Sequence, residues 1–362
     1  MPARSLSRAT VKPLLLALFA LNGVTVSTLY WAQAVASLAR LEFGPSLWAS
    51  LMPSATLAGY AIGVALLAGL ARDLTAANGL GLHALLLSLG LGAAAVAPAL
   101  PLIACACLLV GIGCSLTQRL LASATSAVSA EARGPVIGGI IASGLVGIVV
   151  ARAAVPVASA AIGWRTMFML DAVMVSVCGI VAATAALRVD RRAWGDDAAT
   201  LPSAAALWRR EPVLRRAALQ QAVVFALFNF GWAVFPRLIA GSAHTAVQMG
   251  VPMGVIAALG ACAAVGAGWA CKRHPAAGIA TAGLYAALLA GSSILLVRGA
   301  GPALYAAMIL LDVGTQTALV SNQAQAQALA TTPAMRGRLA AIVTTIGFGA
   351  GAIGAAIGNA LF

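Results

Sequence analysis

The chain has 362 residues, of which 62% are hydrophobic and only 9% are charged, and its formal net charge is +13. A soluble protein of this length needs a far more charged surface, so the composition excludes a soluble globular fold and indicates a polytopic membrane protein. The basic excess alone would also suit a nucleic-acid partner, but its distribution along the chain indicates membrane topology instead.

Eleven apolar segments are each long enough to cross a hydrocarbon core about 30 Å thick. Long alternating segments are absent from the sequence, so we predict an all-α polytopic fold embedded in a lipid bilayer. The predicted spans are 12–34, 46–70, 78–97, 101–125, 135–158, 165–187, 216–240, 247–271, 276–297, 302–329 and 336–362.

The 22 Lys and Arg residues are divided unequally between the two sets of loops. If the N-terminus is cytoplasmic, the inner segments hold sixteen of them and the outer loops hold four, while Arg119 and Arg152 remain inside spans. Such a distribution is typical of the positive-inside rule. We therefore predict a multi-pass protein of the cell inner (plasma) membrane with a cytoplasmic N-terminus.

Seven of the basic residues lie between Arg188 and Arg216 and divide the apolar chain in two. We predict a six-helix bundle at 1–187, a cytoplasmic linker at 188–215 and a second bundle of five helices at 216–362. Pairs of identical residues recur at one common offset in sequence number, because Arg133 matches Arg336 and Gly144 matches Gly347, although each match alone is weak. The offset predicts a six-span unit that occurs twice, with a twelfth span missing through truncation or natural loss.

Polar residues concentrate in the first and fourth spans of each predicted bundle, where they would face one another or water because lipid disfavours them. Asp312 lies about ten residues into its helix, hence about 15 Å deep and near the bilayer centre. A carboxylate there would load and release a proton, or would be a structural acid held by a neighbouring helix. The candidates for proton or substrate binding are Asp312, Gln316, Asn22, Gln33, Asn229, Gln323 and Arg119.

Two further charged residues flank the outer turn between the fifth and sixth spans. A helical hairpin would bring Arg152 and Asp171 to similar depth, so we predict a structural ion pair, with a gate as the alternative. Arg119 would either snorkel to the interface or line a cavity wall and bind an anion.

Several classes of function are disfavoured by the motifs that the sequence lacks. The six cysteines lie in or at the ends of spans, which predicts neither a disulfide framework nor a metal site. The sequence has no His-Glu-x-x-His motif and no phosphate-binding loop of an ATPase, so we predict neither an enzyme nor an ATP-driven pump. No cofactor is expected.

Three stretches carry a family resemblance: Gly69 to Asp73, Gly163-Trp164-Arg165, and the run from Asp312 to Gln316 and Gln323. They resemble the major facilitator superfamily, particularly its drug/proton-antiporter branch and its bacterial sugar-efflux-like members. The resemblance implies two six-helix bundles with alternating access around a midplane site, and Gly69 and Asp73 as a conformational loop motif.

These observations together predict a monomeric secondary transporter that exports a small organic molecule, with protons as the coupling ion. Uptake of a nutrient or siderophore by the same fold is the first alternative. A truncated fragment that does not transport is the second.

Overall fold

The computed structural model describes residues 8–44, 46–70, 75–126, 130–187, 202–240, 246–297 and 299–361. Every regular element in these ranges is an α-helix, and eleven of them are long and apolar enough to cross a membrane, as predicted. The twelve helices are α1 Arg8–Phe43, α2 Leu47–Leu70, α3 Ala76–Val96, α4 Leu100–Ser126, α5 Ala130–Ile162, α6 Trp164–Ala186, α7 Ala204–Arg210, α8 Pro212–Ala240, α9 Ala246–Ala270, α10 Ala276–Leu296, α11 Pro302–Gln327 and α12 Pro333–Leu361.

The segment predicted as a linker contains helical structure that the charge pattern did not indicate. The seven-residue helix α7 lies inside it, and α8 begins at Pro212 rather than at residue 216. The Ser203 hydroxyl accepts a hydrogen bond from the Ala206 N–H and caps α7. The predicted domain boundaries themselves stay a prediction, because residues 188–201 lie outside the described ranges.

Glycines bring pairs of helices into close contact in both halves of the chain, and one such pair is equivalent in the two halves. In the first half α5 packs on α1, where any side chain at Gly147 would overlap the carbonyl oxygen of Gly23. In the second half α12 packs on α8, where a side chain at Gly354 would overlap the carbonyl oxygen of Ala226. Helices α5 and α12, which carry the matched residues Gly144 and Gly347, therefore make equivalent helix contacts in the two halves.

The two halves, α1–α6 and α8–α12, meet chiefly through α2 against α12 and α5 against α9. We call the side of the molecule at which α1 begins the N-terminal side, and the opposite side the far side. Contacts between α2 and α12 run from Ser50 with Asn359 at the far side to Tyr60 with Phe348, whose ring centroids are 4.3 Å apart near mid-helix. The described contacts between the halves thus belong to the far side and the centre.

Candidate functional site

Asp312 lies at the centre of the second half and is only 2% exposed. Its carboxylate accepts a 3.0 Å hydrogen bond from Trp232 Nε1 on α8. The other carboxylate oxygen lies against Gly260 on α9, where a Cβ would overlap it. Gln316, one turn further along α11, lies beside the same carboxyl. Three helices therefore enclose this acid, as a mid-membrane carboxylate requires.

Arg152 on α5 contributes a buried positive charge from the first half of the chain. Its guanidinium stacks on the indole of Trp232, with 3.3 Å between the guanidinium carbon and the ring centroid. Tyr30 and Phe228 lie 5.2 and 5.0 Å from the same carbon, so three aromatic rings surround the cation. Among the described residues, no hydrogen-bond acceptor reaches Nε, Nη1 or Nη2 of Arg152.

Trp232 joins these two charged groups into one site. Its face carries the guanidinium of Arg152, its edge N–H donates to Asp312, and the two charges act on each other electrostatically. Arg152 is ten residues from the far end of α5 and Asp312 ten from the far end of α11, so both lie about 15 Å deep. The site is thus central and spans both halves of the molecule.

The predicted ion pair between Arg152 and Asp171 is wrong. Asp171 accepts a 2.7 Å hydrogen bond from the Thr28 hydroxyl, and its other oxygen has no partner among the described residues. Helix α1 separates the two charges: Arg152 lies near Tyr30 and Asp171 near Thr28, and residues two apart point to nearly opposite faces of a helix. A shared hairpin does not determine which way the side chains of its two helices face.

Of the other predicted candidates whose side chains the structure describes, Gln316 alone is placed beside Asp312. Asn22 donates 2.9 Å hydrogen bonds to the Ile140 carbonyl and the Ser143 hydroxyl, so it links α1 to α5. Gln323 donates to Thr344 at 3.1 Å and links α11 to α12. These two side chains serve helix packing.

The remaining candidates are placed as follows. Asn229 is buried and donates to the carbonyl of Phe225 in its own helix, and the amide nitrogen of Gln33 on α1 has no partner among the described residues. Gly69 lies in the last turn of α2. The side chain of Arg119 and the whole of Asp73 lie outside the described part of the structure.

A small cavity opens within the first half. It has a volume of about 20 Å³, enough for about one water molecule, and is lined by Asn22, Thr25, Val26, Leu29, Tyr60, Cys114 and Thr117. Behind it the fully buried His83 is 2.8 Å from the carbonyl oxygen of Gly113 and 3.0 Å from the hydroxyl of Thr25. Polar side chains of α1, α3 and α4 thus share one hydrogen-bonded cluster.

A polar network closes the far side between the halves. Asn359 near the end of α12 donates to the Ser50 carbonyl at 2.8 Å, and its own amide oxygen accepts from Arg237 at 2.6 Å and from Arg40 at 3.4 Å. Arg237 also donates to the Asn359 carbonyl at 3.1 Å. One asparagine therefore ties α12 to α1, α2 and α8.

The family model described as Major Facilitator Superfamily matches residues 14–355. The chain belongs to the major facilitator superfamily. Membership of this family of transporters agrees with the all-helical membrane fold and with the expectation that the chain is no enzyme.

Solved structures of three other transporters share the fold. A bacterial homologue of the human lysosomal transporter Spinster, inward-facing and unoccupied, has a TM-score of 0.77 and 17% identity over 96% of this chain and 82% of that one. The peptide transporter POT has a TM-score of 0.70 and 14% identity over 96% of this chain and 93% of that one. A D-xylose–proton symporter has a TM-score of 0.65 and 13% identity over 97% of this chain and 89% of that one. None of the curated protein sequences matches this chain.

Sequence reasoning missed the residue that organises the site. Trp232 was indicated only by its position, because it lies in mid-span whereas tryptophans prefer the membrane interface. Phe228 lies one turn before it and Phe235 nearly one turn after it, so an aromatic stripe follows one face of α8. This stripe was the available signal for Trp232.

The contact between Gly260 and Asp312 predicts a large effect from a single methyl group. Gly260→Ala places a Cβ against the carboxylate and must displace it, so we expect substrate flux to fall at least ~10-fold, since overpacking costs about 1–3 kcal/mol. Gly266→Ala in the same helix is the matched control, because open space surrounds a Cβ there. Equal flux in both variants would contradict the assigned position of Asp312.

The network around Asn359 predicts a conformational effect. Asn359→Ala removes the three hydrogen bonds made by the Asn359 side chain on the far side, so we expect the population open on that side to rise ~10-fold or more. Spin labels at Leu41 and Val247, both exposed near the far ends of α1 and α9, would report it as longer distances in a variant without native cysteines. Ser293→Ala, which removes a hydrogen bond within α10 alone, should leave those distances unchanged.

Proposed function

We propose that this chain is a proton-coupled secondary transporter that exports a small organic molecule by alternating access, with Asp312 carrying the proton. The observation that carries the proposal is that Asp312 and Arg152 come from different halves and meet at Trp232. A proton that binds to Asp312 changes the net charge at the contact between the two halves, and alternating access requires this contact to open and close. One chain supplies every residue of the site, so a monomer suffices.

The proposed cycle uses the far-side contacts as one of two gates. With the N-terminus cytoplasmic, the far side faces outward, and the described conformation has its outer gate closed by the network around Asn359. Ionised Asp312 compensates the charge of Arg152 and favours contact between the halves. Protonation removes that attraction, so proton binding and release can bias the exchange between inward and outward access.

The resemblance to the drug/proton-antiporter branch and to sugar-efflux-like members supports the outward direction. Import driven by the same proton site is the second candidate, and one observation favours it. The unpartnered donors of Arg152 can bind an anionic group of a substrate, protonation of Asp312 favours that binding by removing its negative charge, and substrate and proton would then travel together. The similar D-xylose–proton symporter supports this form of coupling within the shared fold.

Membrane vesicles of both orientations would test the proposal. Inverted vesicles from cells with and without the protein are energised by respiration and incubated with a small-molecule extract of the same cells. We expect mass spectrometry to find a compound that accumulates only when the protein is present and that leaves when an uncoupler collapses the proton gradient.

Accumulation in right-side-out vesicles instead would replace export by import. Accumulation that persists with the uncoupler would contradict proton coupling. The absence of any protein-dependent compound in both orientations would overturn the assignment as a transporter.

A further inference from the structure

Arg152 is a buried cation whose hydrogen-bonding capacity is unused. A guanidinium carries five N–H donors, yet none of its three nitrogens meets an acceptor among the described residues. The aromatic rings of Trp232, Tyr30 and Phe228 stabilise the charge but accept no conventional hydrogen bond. Burying charge and donors in this way is costly, and such groups normally have a partner.

Asp312 is not that partner in this conformation. Its carboxylate accepts from the indole edge of Trp232, while Arg152 lies on the indole face, so the ring separates the two groups. The side chain of Arg152 thus presents its donors within an aromatic enclosure, at the contact between the halves.

We propose that the transported substrate is a small organic carboxylate, whose carboxyl group binds the guanidinium of Arg152 and whose apolar body lies among Tyr30, Phe228 and Trp232. The inference rests on the proposed transport function but not on its direction. A guanidinium matches a carboxylate with two parallel hydrogen bonds, and aromatic faces suit an apolar body. A cationic substrate would meet the charge of Arg152 unfavourably.

The small cavity reaches the same face of α1 as the proposed binding position. Val26, which lines that cavity, precedes Tyr30 by about one turn. Arg152 on α5 acts on Asp312 electrostatically and also faces Tyr30 on α1. The residues that α8 and α9 place against Asp312, which are Trp232 and Gly260, have no titratable group. A bound carboxylate would repel ionised Asp312, so carboxylate binding and the protonation state of Asp312 are linked.

Thermal unfolding of the purified full chain tests the substrate class with defined probes. Benzoate, phenylacetate and lactate are compared with their amides and with sodium chloride at equal ionic strength. We expect the carboxylates to raise the melting temperature in a saturable manner, while the amides and chloride do not. Arg152→Gln should weaken carboxylate affinity at least ~10-fold, and Arg152→Lys should weaken it less.

Arg273→Gln is the matched control, because Arg273 also stacks on a tryptophan, at 3.9 Å from the ring of Trp269, outside the site. Without ligand, Arg152→Gln should melt no lower than wild type, whereas a residue that only stabilises the fold would show a loss. Equal protection by amides or chloride, protection that survives Arg152→Gln, or no protection by any carboxylate would each overturn the inference. Proton-driven accumulation of a neutral compound would overturn it while leaving the proposed function intact.

Discussion

Replacing Asp312 by asparagine is expected to abolish proton-driven accumulation while leaving passive exchange of substrate intact. Asparagine has nearly the same shape and can still accept from Trp232 Nε1, so the fold should persist. It cannot bind and release a proton, so the variant loses the link between the proton gradient and substrate movement. A gradient of one pH unit supports about tenfold accumulation, and the variant should accumulate nothing above equilibrium. Proteoliposomes and the compound identified in the membrane-vesicle experiment would be used to measure both proton-driven accumulation and passive exchange.

Asp171→Asn is the matched control for this variant. Asp171 is the other acid within the described membrane spans, but it bonds to Thr28 on the opposite face of α1 and does not face Trp232. We therefore expect Asp171→Asn to keep proton-driven accumulation. Loss of coupling in Asp171→Asn with full coupling in Asp312→Asn would assign the proton to the first half of the chain instead.

The second large effect is expected at Trp232. Trp232→Phe keeps an aromatic face for Arg152 but removes the N–H that donates to Asp312. A hydrogen bond to a charged group contributes about 1.5–3 kcal/mol, so initial rates of coupled transport should fall ~10- to 100-fold. Trp232→Leu also removes the stacking on the guanidinium and should reduce the rates further.

Trp269→Phe provides the comparison for Trp232→Phe. Trp269 is 57% exposed on α9 and stacks with Arg273 near the end of that helix. Its substitution should change coupled transport less than twofold. Equal losses in the two variants would show that the Trp232 effect comes from reduced folding rather than from the site.

The number and positions of the membrane-spanning helices were predictable because they depend on properties that add along the chain. Span length and hydropathy gave the eleven helices, and the glycines at 144 and 347 correctly indicated helix faces that pack closely. The short helix α7 was missed because a charged segment of seven residues has no apolar periodicity long enough to detect.

The central site was predictable only in part, because it depends on which way each helix faces. Asp312 and Gln316 lie one turn apart on one helix, so their proximity followed from sequence spacing. Arg152 and Trp232 meet across two halves that no local pattern relates, and depth alone suggested Asp171 as the partner. Rotation of α5 about its axis is set by packing against α1 and α9, which the sequence of α5 does not contain.

The most direct test of proton coupling at Asp312 is the movement of protons themselves. Proteoliposomes that contain a pH-sensitive dye and the purified protein are given a gradient of the transported compound but no pH gradient. We predict that the wild-type protein changes the internal pH as the compound moves, and that Asp312→Asn moves the compound by exchange without any pH change. Substrate movement without a pH change in the wild type, or an equal pH change in Asp312→Asn, would contradict the account.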